Sequence, residues 1–190
     1  MPSTEDRKLR FKTLLMHWII TGILFLLSVS AYYFFTARKY GYWVGLFPVD
    51  LSFSTWKWLL LGLSFPLLFF FGLYKLAPKE SLYDENVKTV SMFYSAGFMV
   101  PFLFVNALME EIFFRGTLQL AIGAIPSALI FVAAHISYYK KPLLMAEVFI
   151  LGLFFSALFA RCGSLWLCAV SHAFYNFVVM MLIKTGKINY

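Results

Sequence analysis

Residues 99–120 read MVPFLFVNALMEEIFFRGTLQL, and this stretch decides the fold. It is long and apolar enough to cross a bilayer as a helix, which takes roughly 17–25 residues. Yet it carries Glu110, Glu111 and Arg115 close together. Upstream, residues 89–109 contain no Asp, Glu, Lys or Arg. Working outward, the same holds for 13–37, 58–74, 116–139 and 162–183, while 142–160 carries only Glu147. In lipid, every backbone group must be satisfied within its own segment or within a closed barrel. These runs are continuous instead of alternating at period two, so helices are expected. The fold class is therefore all-α and polytopic, with about six transmembrane helices.

Composition agrees. Of 190 residues, 62% are hydrophobic and 13% charged, with a mean hydropathy of +0.79. An ordinary soluble domain is about 45–50% apolar, so a water-soluble core does not explain the excess. Helices are predicted at about 14–35, 56–76, 91–120, 126–138, 143–159 and 165–183. The third is long enough to tilt or break, with Gly97 and Pro101 as the expected places. The aromatic segment 40–55, with Pro48 and Asp50, reads as interfacial. Three regions follow: a two-helix membrane region over 1–90, a core of four helices over 91–184, and a tail over 185–190.

The basic residues Arg7, Lys8, Arg10 and Lys12 precede the first span. Its apolar stretch exceeds the roughly 7–15 residues of a signal-peptide core, and no small-residue cleavage site stands out, so a retained helix is expected. The net charge of +7 sits at helix ends, where it meets a membrane surface; no nucleic-acid partner is expected. Six spans put both termini on one side. That side collects eleven Lys and Arg residues, from Arg7 to Lys187, against Arg38, Lys39, Lys57 and Arg161 opposite. By the positive-inside rule both termini face the cytoplasm, in the cell membrane of a prokaryote.

Ionisable side chains within a span cost on the order of 2.5–3.5 kcal/mol each on insertion scales and mark function by default. They concentrate in the second half: Glu110, Glu111, Arg115, His135, His172 and, as a polar companion, Asn176. Positions four apart share a helix face. Glu111 and Arg115 form such a pair with the acid first, the favoured order, and so do His172 and Asn176. Glu110 points about 100° away from Glu111. One carboxylate is then neutralised by Arg115 while the other is left to act as a general base. A base that activates water for amide attack also needs donors for the oxyanion and the leaving nitrogen, which histidine and asparagine supply. The competing explanation is that these groups only hydrogen-bond helices together. Glu147, after Lys140 and Lys141, reads as a snorkelling helix-end charge, and His17 as interfacial.

The ordered set Glu110-Glu111-Ile-Phe-Phe-Arg115, Phe131-Val-Ala-Ala-His135 and His172-Ala-Phe-Tyr-Asn176 resembles the EExxxR, FxxxH and HxxxN motifs of the CPBP family. That family holds the type II CAAX prenyl endopeptidases and the bacteriocin-processing, Abi-like proteins. Gly116 and Gly163-Ser164-Leu165-Trp166 match as well, and the likeness covers about 91–183. The resemblance implies an intramembrane glutamic protease. Glu110 would activate the water and His135 help bind it. His172 and Asn176 would form the oxyanion site, with Glu111 and Arg115 bracing the helix and Phe131 packing beside His135. The family was long described as metalloproteases. The chain has no HExxH-type helix, and the carboxylate and histidines can serve the water directly, so neither metal nor cofactor is expected. The implied partners are the lipid bilayer and a membrane-anchored peptide or protein, prenylated or not. Two rivals remain: a non-catalytic scaffold, regulator or immunity protein on the same fold, and a small transporter. A transporter would be expected to show an inverted repeat or paired broken helices, and the sequence has neither.

Overall fold

The computed structural model describes residues 4–41, 43–47 and 52–188. The expected interfacial turn around Pro48 and Asp50 lies outside the described residues, as do the last two positions of the tail. Among the described residues there are seven α-helices and no strand. They are α1 (Thr4–Tyr32), α2 (Phe53–Leu76), α3 (Glu85–Phe93), α4 (Ala96–Phe113), α5 (Ala124–Ala134), α6 (Pro142–Cys162) and α7 (Leu165–Lys184). Helix α1 runs on through a π-helical stretch, Tyr33–Ala37, to Tyr40, and α4 through another, Phe114–Gln119, to Ile122.

Five of these segments are long and apolar enough to cross a membrane: Leu15–Tyr40, Thr55–Leu76, Ala96–Ile122, Pro142–Cys162 and Leu165–Lys184. The bundle exposes large apolar side chains and buries ionisable ones within an apolar core. Leu26, Phe35, Leu60 and Leu68 are exposed, while Glu111, Arg115, Glu147 and His172 are buried. That is the distribution a lipid solvent selects.

The expected third helix is two helices. The break falls at Tyr94 and Ser95, where the backbone is extended and Ser95 Oγ accepts the Phe98 N–H as an N-cap. It does not fall at Gly97 or Pro101, and α4 runs through Pro101. A side-chain cap offers the orphan amide a partner, whereas a proline inside a membrane helix is tolerated when neighbours re-satisfy the freed groups.

The fourth expected span is shorter than predicted. Helix α5 has 11 residues, about 16 Å, and ends at Ala134 because His135 leaves the helical region (φ −86°, ψ 61°). A 3-10 turn, Ile136–Tyr138, continues the path. The chain still gets from one end of the bundle to the other. Lys141 Nζ lies 3.5 Å from Asp84 Oδ2 and Lys184 Nζ donates to Ser91 O at one end. At the opposite end Leu165 N donates to Gly45 O and Trp166 Nε1 to Leu46 O. The start of α1 and the end of α7 therefore lie at the same end of the bundle.

At the centre, α4 packs along α7, with α1 against α4, α2 against α6 and α7, and α5 against α6. Gly116 allows a close approach of α1 and α7 to α4: a Cβ there would stand 2.9 Å from Tyr32 and 3.0 Å from Leu165. A π turn frees carbonyls from the α-ladder, and neighbouring hydroxyls collect them. Thr36 Oγ1 donates to Gly116 O (2.6 Å), Ser127 Oγ to Phe114 O (2.7 Å) and Thr117 Oγ1 to Ile112 O (3.2 Å). Between α6 and α7, Gly163 takes the left-handed conformation (φ 63°) that closes α6, and Ser164 caps α7 by accepting from Leu167 N.

Candidate active site

Residues at helical spacing line one cavity of about 200 Å³. Helix α7 contributes His172, Tyr175, Asn176, Val179 and Met180, the i, i+3, i+4, i+7 and i+8 positions of one face. Helix α5 contributes Phe131 and, at its C-cap, His135, and α4 contributes Glu110. Glu110, His135, His172 and Asn176, far apart in the chain, thus meet at one void. Asn106, a turn before Glu110, faces α1 instead: it accepts from Thr21 Oγ1 (2.9 Å) and donates to Phe102 O (2.8 Å).

Behind the cavity lies a buried ionic cluster. Glu111 and Arg115 are 0% and 1% exposed. Glu111 Oε1 accepts from Arg115 Nη1 (3.2 Å) and lies 2.9 Å from His172 Nδ1. Arg115 Nη2 donates to Gly152 O at 3.1 Å, and its guanidinium lies 4.8 Å from the Phe131 ring centre and 5.6 Å from that of Phe155. The Glu111–Arg115 pair expected from spacing is present as an ion pair, and Glu111 has a further contact that spacing alone does not reveal. A carboxylate at Nδ1 places a proton on that nitrogen. It thereby turns Nε2 of His172 toward Glu110, whose Oε2 is 3.8 Å away. Stacking on Phe155, with ring centres 5.1 Å apart and planes at 23°, holds the imidazole in place.

His135 sits where α5 ends. The last carbonyls of a helix lack intrahelical partners, and Phe131 O meets His135 Nδ1 at 2.7 Å. A carbonyl only accepts, so Nδ1 carries the proton and, in the neutral ring, Nε2 keeps its lone pair. Phe131 packs edge-on to His135, with centroids 4.7 Å apart.

Glu147 departs from its sequence reading. It is 4% exposed, lines the same cavity and accepts from Tyr175 Oη at 2.6 Å. The helix-end interpretation fails because α6 faces the cavity with Leu144, Glu147, Val148, Leu151 and Phe155, a stripe at helical spacing that puts Glu147 inside. The sequence does not mark that stripe, because α6 is apolar on every face; the signal is Glu147 itself, an acid inside an apolar run. Among the described residues, no group of three or more His, Cys, Asp or Glu side chains has the geometry to hold a metal ion.

The fold and this void define a class: an integral membrane, all-α protein enclosing a buried acid–histidine site. The family model described as Type II CAAX prenyl endopeptidase Rce1-like matches residues 92–178, a segment that contains Glu110, His135, His172 and Asn176. This segment, somewhat under half of the chain, is thus similar to the CPBP/CAAX protease family. No curated protein and no solved structure gave a match to the chain.

Proposed function

We propose that the protein is an intramembrane endopeptidase that hydrolyses a peptide bond of a membrane-associated or lipidated chain with water activated by Glu110. The observation that carries this reading is the convergence of Glu110, His135, His172 and Asn176 from three helices on one cavity, backed by the buried Glu111–Arg115 pair.

Each side chain then has a defined task. A water between Glu110 and His135 gives one hydrogen bond to the carboxylate and one to His135 Nε2, so its oxygen lone pair points at the substrate carbonyl. As the oxygen adds to carbon, its proton passes to Glu110. The oxyanion is met by His172 Nε2–H and the Asn176 amide. With His172 doubly protonated, Glu110 and Glu111 balance Arg115 and His172, so the cluster is neutral in a setting where unpaired charge is costly. Glu110 next delivers its proton to the departing nitrogen, the C–N bond breaks, and an acid and an amine leave. The protein works without a metal in this scheme. Its membrane is a prokaryotic cell membrane with both termini cytoplasmic, the end of the bundle richer in Lys and Arg.

The test is cleavage of acyl-anchored and prenylated peptides by the purified chain in nanodiscs. Glu110→Gln and His172→Ala should each abolish cutting while the protein remains folded. Wild-type protein that cuts no peptide, with both variants still supporting the cellular phenotype, would favour a non-catalytic scaffold.

A further inference from the structure

The hydrolytic scheme leaves two buried acids of the cavity unused, Asp84 and Glu147, and of these Asp84 has Lys141 beside it. Glu147 is 4% exposed. Among the described residues, Tyr175 is its one hydrogen-bond partner and no Lys, Arg or His lies within ion-pair distance. The cavity wall holds two further carboxylates, Asp84 and Glu110, and, among the described residues, no lysine or arginine. Arg115 is committed to Glu111 and Gly152, and Lys141 stands by Asp84. A buried carboxyl without a countercharge either holds a proton or takes a cationic partner. The empty side of Glu147 is the cavity.

We propose that Glu147, set in position by Tyr175, is a specificity-determining group that takes the cationic side chain of a substrate Lys or Arg. Its position relative to the reacting bond follows from α7. Tyr175 lies three residues beyond His172, about 4.5 Å along the axis, and an extended peptide advances about 3.3 Å per residue. The cation therefore belongs one or two residues from the bond that is cut. Val148, Leu151 and Phe70 line the same space and suit the aliphatic stem of a long basic side chain, which packs apolar surface while its head finds the acid. Tyr175 aims the carboxylate by holding one oxygen, leaving the charge to the ligand. The assignment of a scissile bond rests on the peptidase reading; the subsite itself is a matter of binding.

The experiment uses the full chain in nanodiscs and acyl-anchored fluorescent peptides that differ only in Lys, Arg or norleucine at one position in turn. Binding is measured on Glu110→Gln protein, so the peptide is not consumed, and cleavage on the wild type in parallel. At one or two adjacent positions the basic peptide should bind roughly tenfold or more tightly than norleucine. Adding Glu147→Gln, which keeps the size and the acceptor for Tyr175, should bring that ratio close to one; Glu147→Asp should retain part of it. Nε-acetyl-lysine makes the same test without altering Glu147, and the preference should vanish. Equal binding of basic and neutral peptides, or a preference that survives Glu147→Gln or acetylation, overturns the proposal. Cation preference without any cleavage would remove the peptidase reading and leave the subsite, whereas cleavage without cation preference would do the reverse.

Discussion

Replacing Arg115 by Met is the sharpest probe of the buried cluster. Methionine keeps an apolar side chain between Phe131 and Phe155 but deletes the charge and the bonds to Glu111 Oε1 (3.2 Å) and Gly152 O (3.1 Å). Hydrogen bonds to charged groups contribute about 1.5–3 kcal/mol. Breaking one side of a buried pair costs about 3–5 kcal/mol, because the other charge is left uncompensated. Arg115→Met and Glu111→Gln should each lose about that much, on the order of 10 °C in midpoint for a chain of this size. The double variant should lose far less than the sum, since neither charge is then stranded; a coupling of about 2 kcal/mol or more is expected. Reversible unfolding in mixed micelles measures all four proteins. Single losses under about 1 kcal/mol, the worth of an exposed ion pair, or strict additivity would refute the reasoning. Glu111→Gln should also slow hydrolysis by roughly two orders of magnitude, because His172 loses the negative charge, and the acceptor-only partner, that fix its tautomer.

Gly116→Ala should destabilise by about 1–3 kcal/mol through overpacking against Tyr32 and Leu165, read in the same unfolding assay. Thr36→Val, which keeps shape and removes the donor to Gly116 O, should cost about 1–3 kcal/mol; a neutral result would mean that the π turn does not need this partner. Peptide cleavage should survive exhaustive chelation with metal analysis of the same sample, and stoichiometric zinc whose removal abolishes activity would sink the carboxylate mechanism.

What the sequence revealed followed the periodicities of a helix. The uncharged runs located every long helix to within a few residues, apart from the early start of α1, because length and apolarity are sufficient signals in lipid. The i, i+4 pair Glu111–Arg115 was legible for the same reason. The Glu111–His172 contact joins residues 61 apart, and only the packing of α4 on α7 creates it. The break at Ser95 is faint in the sequence because a single capping hydroxyl inside an apolar run is a weaker mark than Pro101, which the helix accommodates. The π turn at Phe114–Gln119 has no periodic signature of its own; it depends on Thr36 and Ser127 arriving from other helices. Lys140 and Lys141 give Glu147 the look of a helix-end charge, and α6, apolar on every face, carries no polar stripe to show which way it points.

The brevity of α5 bears on how a protein can keep carboxylates at this depth at all. Its 11 residues span about 16 Å of a hydrocarbon layer about 30 Å thick, and beyond His135 the wall is a 3-10 turn. Irregular backbone at such depth persists only beside protein or an aqueous recess. The site therefore does not face the full thickness of oil, and solvation of its charged groups is built into the chain path. On the peptidase reading, the same helix end would bring His135 nearer to the water that hydrolysis consumes.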